Sequence, residues 1–252
     1  MRTSTFSRLT FAAISALISI AYSSALPVQG RGIIYCGGAN DPTIATSGDP
    51  EEGPGIWVTN DDDDPNVQYF LYENSRDQHP WKYLTIPRGT RAFMQVCPTF
   101  QGRVVRGTAA LALADDDGGS ATTATMRAPR TWVEFSLSGG GAVAWGDISF
   151  LEGCDGGARL AATDGSGLAR GCAAPGLLSG APADALARSA AGTHLVLAAV
   201  VDRPAGAPAN RAARAWLNAQ CDADQVYIQD GNHAIISSAD GRLDVVFMYG
   251  VA

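Results

Sequence analysis

The sequence predicts an all-β fold, an antiparallel β-sandwich with an irregular lobe inserted before its last strands. Short apolar runs rich in Val, Ile, Tyr and Phe recur between Gly, Pro and acidic loops, as in sandwich strands. No long helical pattern interrupts these runs. Residues 173–215 differ from the rest because they are rich in Ala, Gly and Pro. The chain of 252 residues is long enough for one such domain with a substantial core.

The predicted strands form two groups, one on each side of the Ala-rich lobe. Within the lobe, Ala183–Ala191 is a helix candidate after Pro182, and "THLVLAAVV" (193–201) fits a buried strand or a helix. "SGGG" (138–141) marks a hairpin loop, and "DGNH" and "ADGR" mark tight turns. The strand candidates are "GIIYC" (32–36), "GIWVTN" (55–60), "VQYFLYE" (67–73), "KYLTIP" (82–87), "RAFMQV" (91–96), "GRVVRG" (102–107), "TWVEFSL" (131–137), "AVAWGDISFLEG" (142–153), "QVYIQD" (225–230), "NHAIIS" (232–237) and "LDVVFMY" (243–249).

The first 25 residues have the layout of a secretory signal peptide. Arg2 and Arg8 precede an apolar run, 9–22, that leads to small residues and a cleavage site near Ala25. The run is shorter than the roughly 20 apolar residues of a membrane-spanning helix. We therefore expect a signal peptide at 1–25 and a secreted, extracellular domain at 26–252 with no membrane span; a retained anchor is the alternative.

Charge and cysteine content exclude several classes of partner. The net charge is −7, and loss of Arg2 and Arg8 with the signal peptide would make it more negative. Such a surface repels phosphate backbones, so nucleic acid is not an expected partner. An oxidising compartment should pair most of the five cysteines and leave one over. The chain has no CxxC, and its histidines are far apart, so we expect no metal and no cofactor.

The predicted hairpin brings two carboxylates together. With "SGGG" as a four-residue loop, Glu134 lies opposite Trp145 and Trp132 lies opposite Asp147. Opposite side chains share a face of the sheet, so these four residues form one patch. A slip of one residue would separate the carboxylates. The other face, directed at the core, holds Val133, Phe135, Leu137, Ala144 and Ile148.

This patch has the composition of a carbohydrate site. Diagonal neighbours such as Glu134 and Asp147 are about 7 to 8 Å apart, within the range of about 5 to 9.5 Å used by the two carboxyl groups of glycosidases. Trp132 and Trp145 offer flat faces to sugar rings. Without matched pKa values the same patch would bind sugar only. The alternative is a polar outer sandwich face shielded by tryptophans.

Four segments resemble the thaumatin-like or osmotin-like family. "TWVEFSLSGGGAVAWGDISFLEG" is similar to its E-F-T-L and D-[VI]-S-L-V-D-G strands, and "FQGRVVRGT" to its G-R-[IV]-W-x-R-T stretch. "DQVYIQDGNHAIIS" is similar to A-Y-S-Y-A-Y-D-D, and "DVVFMYGVA" lies where the family ends in V-V-F-C-P. Trp145 to Gly157 matches the W-G-D-[VI]-S-x-L-x-G-C-D-G-G string of cysteine-poor fungal members.

The resemblance implies a sandwich with an acidic cleft that binds, and in some members hydrolyses, β-1,3-glucan. Glu152 replaces an aspartate of the family pattern, and Arg106 is the alternative to the cleft arginine. The family's disulfide-rich second lobe corresponds to the Ala-rich stretch 173–215, so the far wall of the cleft would be absent or mobile. The cleft residues carried over by position are Arg103, Glu134, Asp147, Glu152 and Asp230.

One disulfide is predicted. Cys154 and Cys172 flank the loop "DGGARLAATDGSGLARG", and a bond closing it would contribute about 3 kcal/mol in the chain-entropy model. Cys36, Cys97 and Cys221 are left unassigned.

Three functions fit the sequence. The first is a secreted, monomeric thaumatin-like protein that binds cell-wall polysaccharide such as β-1,3-glucan. The second is an endo-β-1,3-glucanase with Glu134 as general acid and Asp147 as nucleophile or base. The third is a scaffold for an extracellular protein partner, as in an effector or an enzyme inhibitor. The chain has no G-x-S-x-G, HExxH, P-loop or dinucleotide motif.

Overall fold

A computed structural model describes residues 43–62, 67–74, 80–107, 129–189, 194–202, 208–229, 231 and 233–250. All of them belong to one compact unit, Ile34–Ala252. The predicted signal peptide, the strand "GIIYC", Cys36 and Asp230 lie outside the described residues.

Strands dominate the described residues. One α-helix, α1, spans Arg211–Gln220. The strands are β1 (Ile44–Ala45), β2 (Gly55–Asp61), β3 (Gln68–Glu73), β4 (Lys82–Thr85), β5 (Arg91–Gln95), β6 (Gln101–Gly107), β7 (Trp132–Ser138), β8 (Val143–Ser149), β9 (Gly157–Ala162), β10 (Ala169–Cys172), β11 (Leu186–Arg188), β12 (Leu195–Leu197), β13 (Ile236–Ser238) and β14 (Arg242–Met248).

The strands form two large sheets and one small one. The first sheet has the order β1-β4-β3-β6-β7-β8-β13, and the second has the order β10-β9-β14-β2-β5. β11 and β12 pair as a separate ribbon. The predicted all-β class is therefore confirmed, and most of the predicted strands are present.

Most strand pairs are antiparallel, as predicted, and two pairs are parallel. β14 is parallel to β2, and β1 is parallel to β4. The predicted turn "ADGR" is present between β13 and β14. It carries the chain from the first sheet to the second. There β14 lies between β9 and β2, antiparallel to the first and parallel to the second.

The core consists of residues that alternate along the strands of both large sheets. The predicted inward residues of β7 and β8 are all buried. Gly146 lies among them, and a Cβ there would come within 2.7 Å of Leu243 and 2.9 Å of Leu160. Glycine at this position therefore lets the second sheet pack closely beneath the middle of β8.

A buried arginine links three parts of the domain. Arg106 on β6 has no exposed surface, and its Nη1 lies 2.8 Å from Asp62 Oδ1. Its Nη2 donates to the carbonyl of Gly157, and its Nε lies 3.4 Å from Asp155 Oδ1. The backbone N–H of Gly250 donates to the same Asp62 oxygen. Arg106 is thus a core residue, which excludes it as the cleft arginine.

The lobe differs from the prediction. Ala183–Ala185 form one 3-10 turn, and the chain then extends into β11. The predicted helix Ala183–Ala191 is therefore wrong, because β11 pairs with β12 instead. "THLVLAAVV" contains the short strand β12.

Helix α1 was not predicted. It begins inside the predicted lobe, 173–215, and continues past its last residue. Asn210 caps it, since its side-chain oxygen accepts from the N–H of Ala213. Ala213 and Leu217, four residues apart, bury its apolar side. The cap and this spacing are the sequence signals that could have identified the helix.

The predicted Cys154–Cys172 disulfide is wrong, because Cys172 is bonded to Cys221 with a Cα–Cα distance of 5.5 Å. Cys97 is also disulfide-bonded. Cys154 is free and buried, and its thiol donates to the carbonyl of Gly156. The loop between Cys154 and Cys172 folds into the hairpin β9–β10. Cys172 ends that hairpin, where the end of α1 brings Cys221 to it.

Candidate functional site

The register of β7 and β8 places Glu134 directly opposite Asp147. Ser136 lies opposite Trp145, and Trp132 lies opposite Ser149. The predicted pairs are therefore wrong by two residues. A shift of two preserves the face on which each side chain lies. The prediction that the two carboxylates and two tryptophans share one face is confirmed.

The hairpin loop explains this shift. Ser138 pairs with Val143, so the loop is 139–142 and not the predicted 138–141. Its three glycines, 139–141, all have φ between 61° and 90°, a conformation that side chains other than glycine rarely adopt. The glycines determine where the chain turns.

A row of functional groups crosses four strands on the outer face of the first sheet. Tyr72 on β3 lies opposite Arg103 on β6, and Arg103 lies opposite Glu134 on β7. Glu134 in turn lies opposite Asp147 on β8. Neighbouring strands are about 4.8 Å apart. One cation and two carboxylates are therefore adjacent on this face.

Two aromatic rings hold Arg103 in place. Its guanidinium carbon lies 4.2 Å from the centre of the Trp132 ring and 4.9 Å from that of Tyr72. Such cation–π contacts stabilise and orient the charge. Only 7% of Arg103 is exposed. Arg103 and Trp132, both predicted as cleft residues, do not line the pocket described next.

A pocket of about 300 Å³ lies over β6, β7 and β8. Glu134 and Asp147 line it. Trp145, 46% exposed, stands at its rim, and its indole N–H donates to the Ser138 hydroxyl at 3.1 Å. The other lining residues are Asn74, Gln101, Gly102, Phe135, Ser136, Gly146 and Ile235. The pocket thus combines acidic groups with an exposed aromatic ring.

Asp147 has an unusual environment. Burial, and secondly the negative charge of Glu134, raise the pKa of its carboxyl from 3.8 to about 7. Its Oδ1 is buried, and no described residue forms a hydrogen bond with it. At neutral pH this carboxyl is therefore present in both protonation states, and it can donate to or accept from a ligand.

Tyr227 is a neighbour of the carboxylates that the sequence did not identify as a site residue. It pairs with Ser149 in a parallel bridge, its N–H donates to Ile148, and its carbonyl accepts from Phe150. Ser149 shares a face with Asp147, so Tyr227 lies on that face too. Burial and the charges of Asp147 and Glu134 raise the pKa of its hydroxyl. Its position in "QVYIQD" gave no indication of this proximity.

The remaining predicted site residues lie elsewhere. Glu152 is in the turn after β8, where its carbonyl accepts from the N–H of Arg130, and it does not line the pocket. Asp230 lies outside the described residues. None of the described residues in 173–215 lines the pocket either. That lobe contacts the far end of β8, where Val200 donates to the carbonyl of Leu151.

Two kinds of feature are absent from the described residues. No helix there has the length and apolar character needed to cross a bilayer. The described His, Cys, Asp and Glu residues form no group that could hold a metal ion.

Comparison with known proteins identifies no family for this chain. No family model matches the sequence, and no curated protein matches it.

Proposed function

We propose that this is a secreted protein that binds a neutral polysaccharide in the pocket of the first sheet. The observation that carries the proposal is the pair Glu134 and Asp147, placed directly opposite each other beside the exposed ring of Trp145. The resemblance to thaumatin-like proteins suggests β-1,3-glucan as the polysaccharide.

The chemistry of the lining supports a sugar. Carboxylate, amide and hydroxyl groups from Glu134, Gln101 and Ser136 can exchange hydrogen bonds with sugar hydroxyls. Trp145 offers a flat apolar surface, and its hydrogen bond to Ser138 limits the rotation of the ring. A small number of polar groups beside an aromatic side chain is typical of small-molecule sites.

Binding to insoluble polymers tests the proposal. The protein should be depleted from solution by β-1,3-glucan more than by chitin or cellulose, and Trp145→Ala should reduce the depletion. Trp57→Ala is the matched control, since Trp57 lies on the second sheet, stacked on Arg91. Equal recovery in the unbound fraction for all three polymers would exclude carbohydrate binding and leave the scaffold hypothesis.

Glycoside hydrolysis is a second candidate, favoured by the raised pKa of Asp147. A carboxyl with a pKa of about 7 suits a general acid, so the proposed roles are the reverse of those expected from the sequence. Asp147 would protonate the leaving oxygen while Glu134 attacks the anomeric carbon, so that the glycosidic C–O bond breaks as a glycosyl–Glu134 ester forms. The deprotonated Asp147 would then take a proton from water, and this water would release the sugar from Glu134. Opposite residues have Cβ atoms about 4.5 to 5.5 Å apart, so the two side chains can bring their carboxyl groups to the separation of about 5 to 5.5 Å used by retaining enzymes.

Release of reducing sugar from laminarin separates these two proposals. A hydrolase should lose activity in both Glu134→Gln and Asp147→Asn, and its first product should keep the β configuration in an NMR time course. Release no greater than that of the two variants would remove the hydrolase proposal and leave binding intact.

A further inference from the structure

We propose that the polysaccharide lies along β8, from Trp145 across the carboxylate pair to Tyr227, which forms a second aromatic contact beyond the pocket. This inference rests on the proposed function, because it specifies how the same site holds its ligand. It makes the site longer than the pocket and predicts that affinity rises with ligand length.

The geometry of β8 sets this path. Trp145, Asp147 and Ser149 alternate along the outer face of the strand, and Tyr227 pairs with Ser149 at its end. The strand advances about 13 Å between Trp145 and Ser149. The rings of Trp145 and Tyr227 therefore lie at the two ends of this path, and the carboxylates of Glu134 and Asp147 lie between them.

Among the described residues, the outer face on the side of β6 and β3 offers no exposed ring next to the carboxylates. Arg103, the next residue in the row, is enclosed by Trp132 and Tyr72. Phe70 and Val105, farther along the same face, are each only 1% exposed. A ligand cannot stack on the buried rings of Phe70 and Tyr72 without displacing their neighbours. The exposed apolar surface lies instead along β8, where Trp145 is 46% and Ile235 is 49% exposed.

A competing path crosses the strands through Gln101 and Ser136, which also line the pocket. Ser136 pairs with both Gln101 and Trp145. This row offers hydrogen bonds but no ring beyond Trp145. A tyrosine ring offers a large apolar face together with a hydroxyl, which the row through Gln101 lacks. We therefore assign the longer contact to Tyr227 and treat Gln101 as the test of the alternative.

The experiment measures dissociation constants of wild type and variants for β-1,3-gluco-oligosaccharides of increasing length. Trp145→Ala should weaken binding at every length. Tyr227→Ala should leave the shortest bound ligand unaffected and weaken the longest by about tenfold, the effect of losing about 1.4 kcal/mol of stacking. Tyr227→Phe should retain most of the affinity if the ring makes the contact. Tyr249→Ala, an exposed tyrosine after β14, is the control.

The outcomes are distinguishable. If wild type binds no oligosaccharide of any length, the proposed function fails and this inference fails with it. If wild type binds but Tyr227→Ala matches it at every length, only the path along β8 is wrong. A length-dependent loss in Gln101→Ala instead would establish the path across the strands. Circular dichroism of each variant shows whether it is folded.

Discussion

The raised pKa of Asp147 makes the free energy of unfolding depend on pH in a defined direction. Its carboxyl binds a proton more tightly in the folded protein, with a pKa of about 7, than in the unfolded chain, where 3.8 is usual. Between these values the folded state holds more protons, so stability falls as pH rises. The full difference corresponds to at most about 4 kcal/mol. Partial solvent exposure of the side chain reduces our expectation to about 2 kcal/mol.

Urea unfolding of wild type and Asp147→Asn at pH 4 and pH 8 measures this effect. Asparagine keeps the shape but does not titrate. The variant should resemble wild type at pH 4 and exceed its free energy of unfolding by about 2 kcal/mol at pH 8. Glu134→Gln should reduce the pH dependence, because it removes the second cause of the shift. Asp222→Asn, at an exposed position, is the control. The same difference between wild type and Asp147→Asn at both pH values would refute the reasoning.

Four other substitutions test the parts of the fold that support the site. Arg106→Ala should lower the free energy of unfolding by about 3 to 5 kcal/mol, since it leaves Asp62 buried without its partner; a loss below 1 kcal/mol in urea unfolding would contradict this. Gly146→Ala should cost about 1 to 3 kcal/mol through overpacking against the second sheet, and an unchanged thermal midpoint would show that the sheets can separate there. Cys172→Ser should lower the free energy of unfolding by about 4 kcal/mol, because it opens the loop closed by the bond to Cys221. Cys154→Ser should remove one free thiol and leave the disulfides intact.

The strands could be predicted because their signal is local. "WVEFSLS" alternates apolar and polar residues, and the structure buries Val133, Phe135 and Leu137 as that period requires. The register could not be fixed in the same way, because four small residues allow more than one loop position. The predicted register was wrong by two residues. Each side chain was therefore assigned to the correct face but to the wrong partner. Glu134 and Asp147 are consequently closer neighbours than the sequence predicted.

The environment of the site depends on residues distant in sequence, which explains what was missed. Tyr227 reaches Asp147 only because the segment that contains it pairs with the end of β8. The sequence also could not show which of Arg103 and Arg106 lies on the outer face. Residues three apart in a strand lie on opposite faces, but this alternation does not say which face is the core. In the structure Asp62 binds Arg106 inside the domain, whereas Arg103 lies on the outer face opposite Glu134.

The lobe shows why a family pattern alone could not place the far wall of the site. The Cys172–Cys221 bond joins the end of β10, at the edge of the second sheet, to the end of α1. Val200 and Leu197 bind the lobe to Leu151 and Cys154, past the carboxylates. The described part of the lobe therefore stabilises the loops after β8, while the pocket is walled by Trp145 and residues outside the lobe. Loss of the disulfide should accordingly reduce stability without changing the affinity of protein that remains folded.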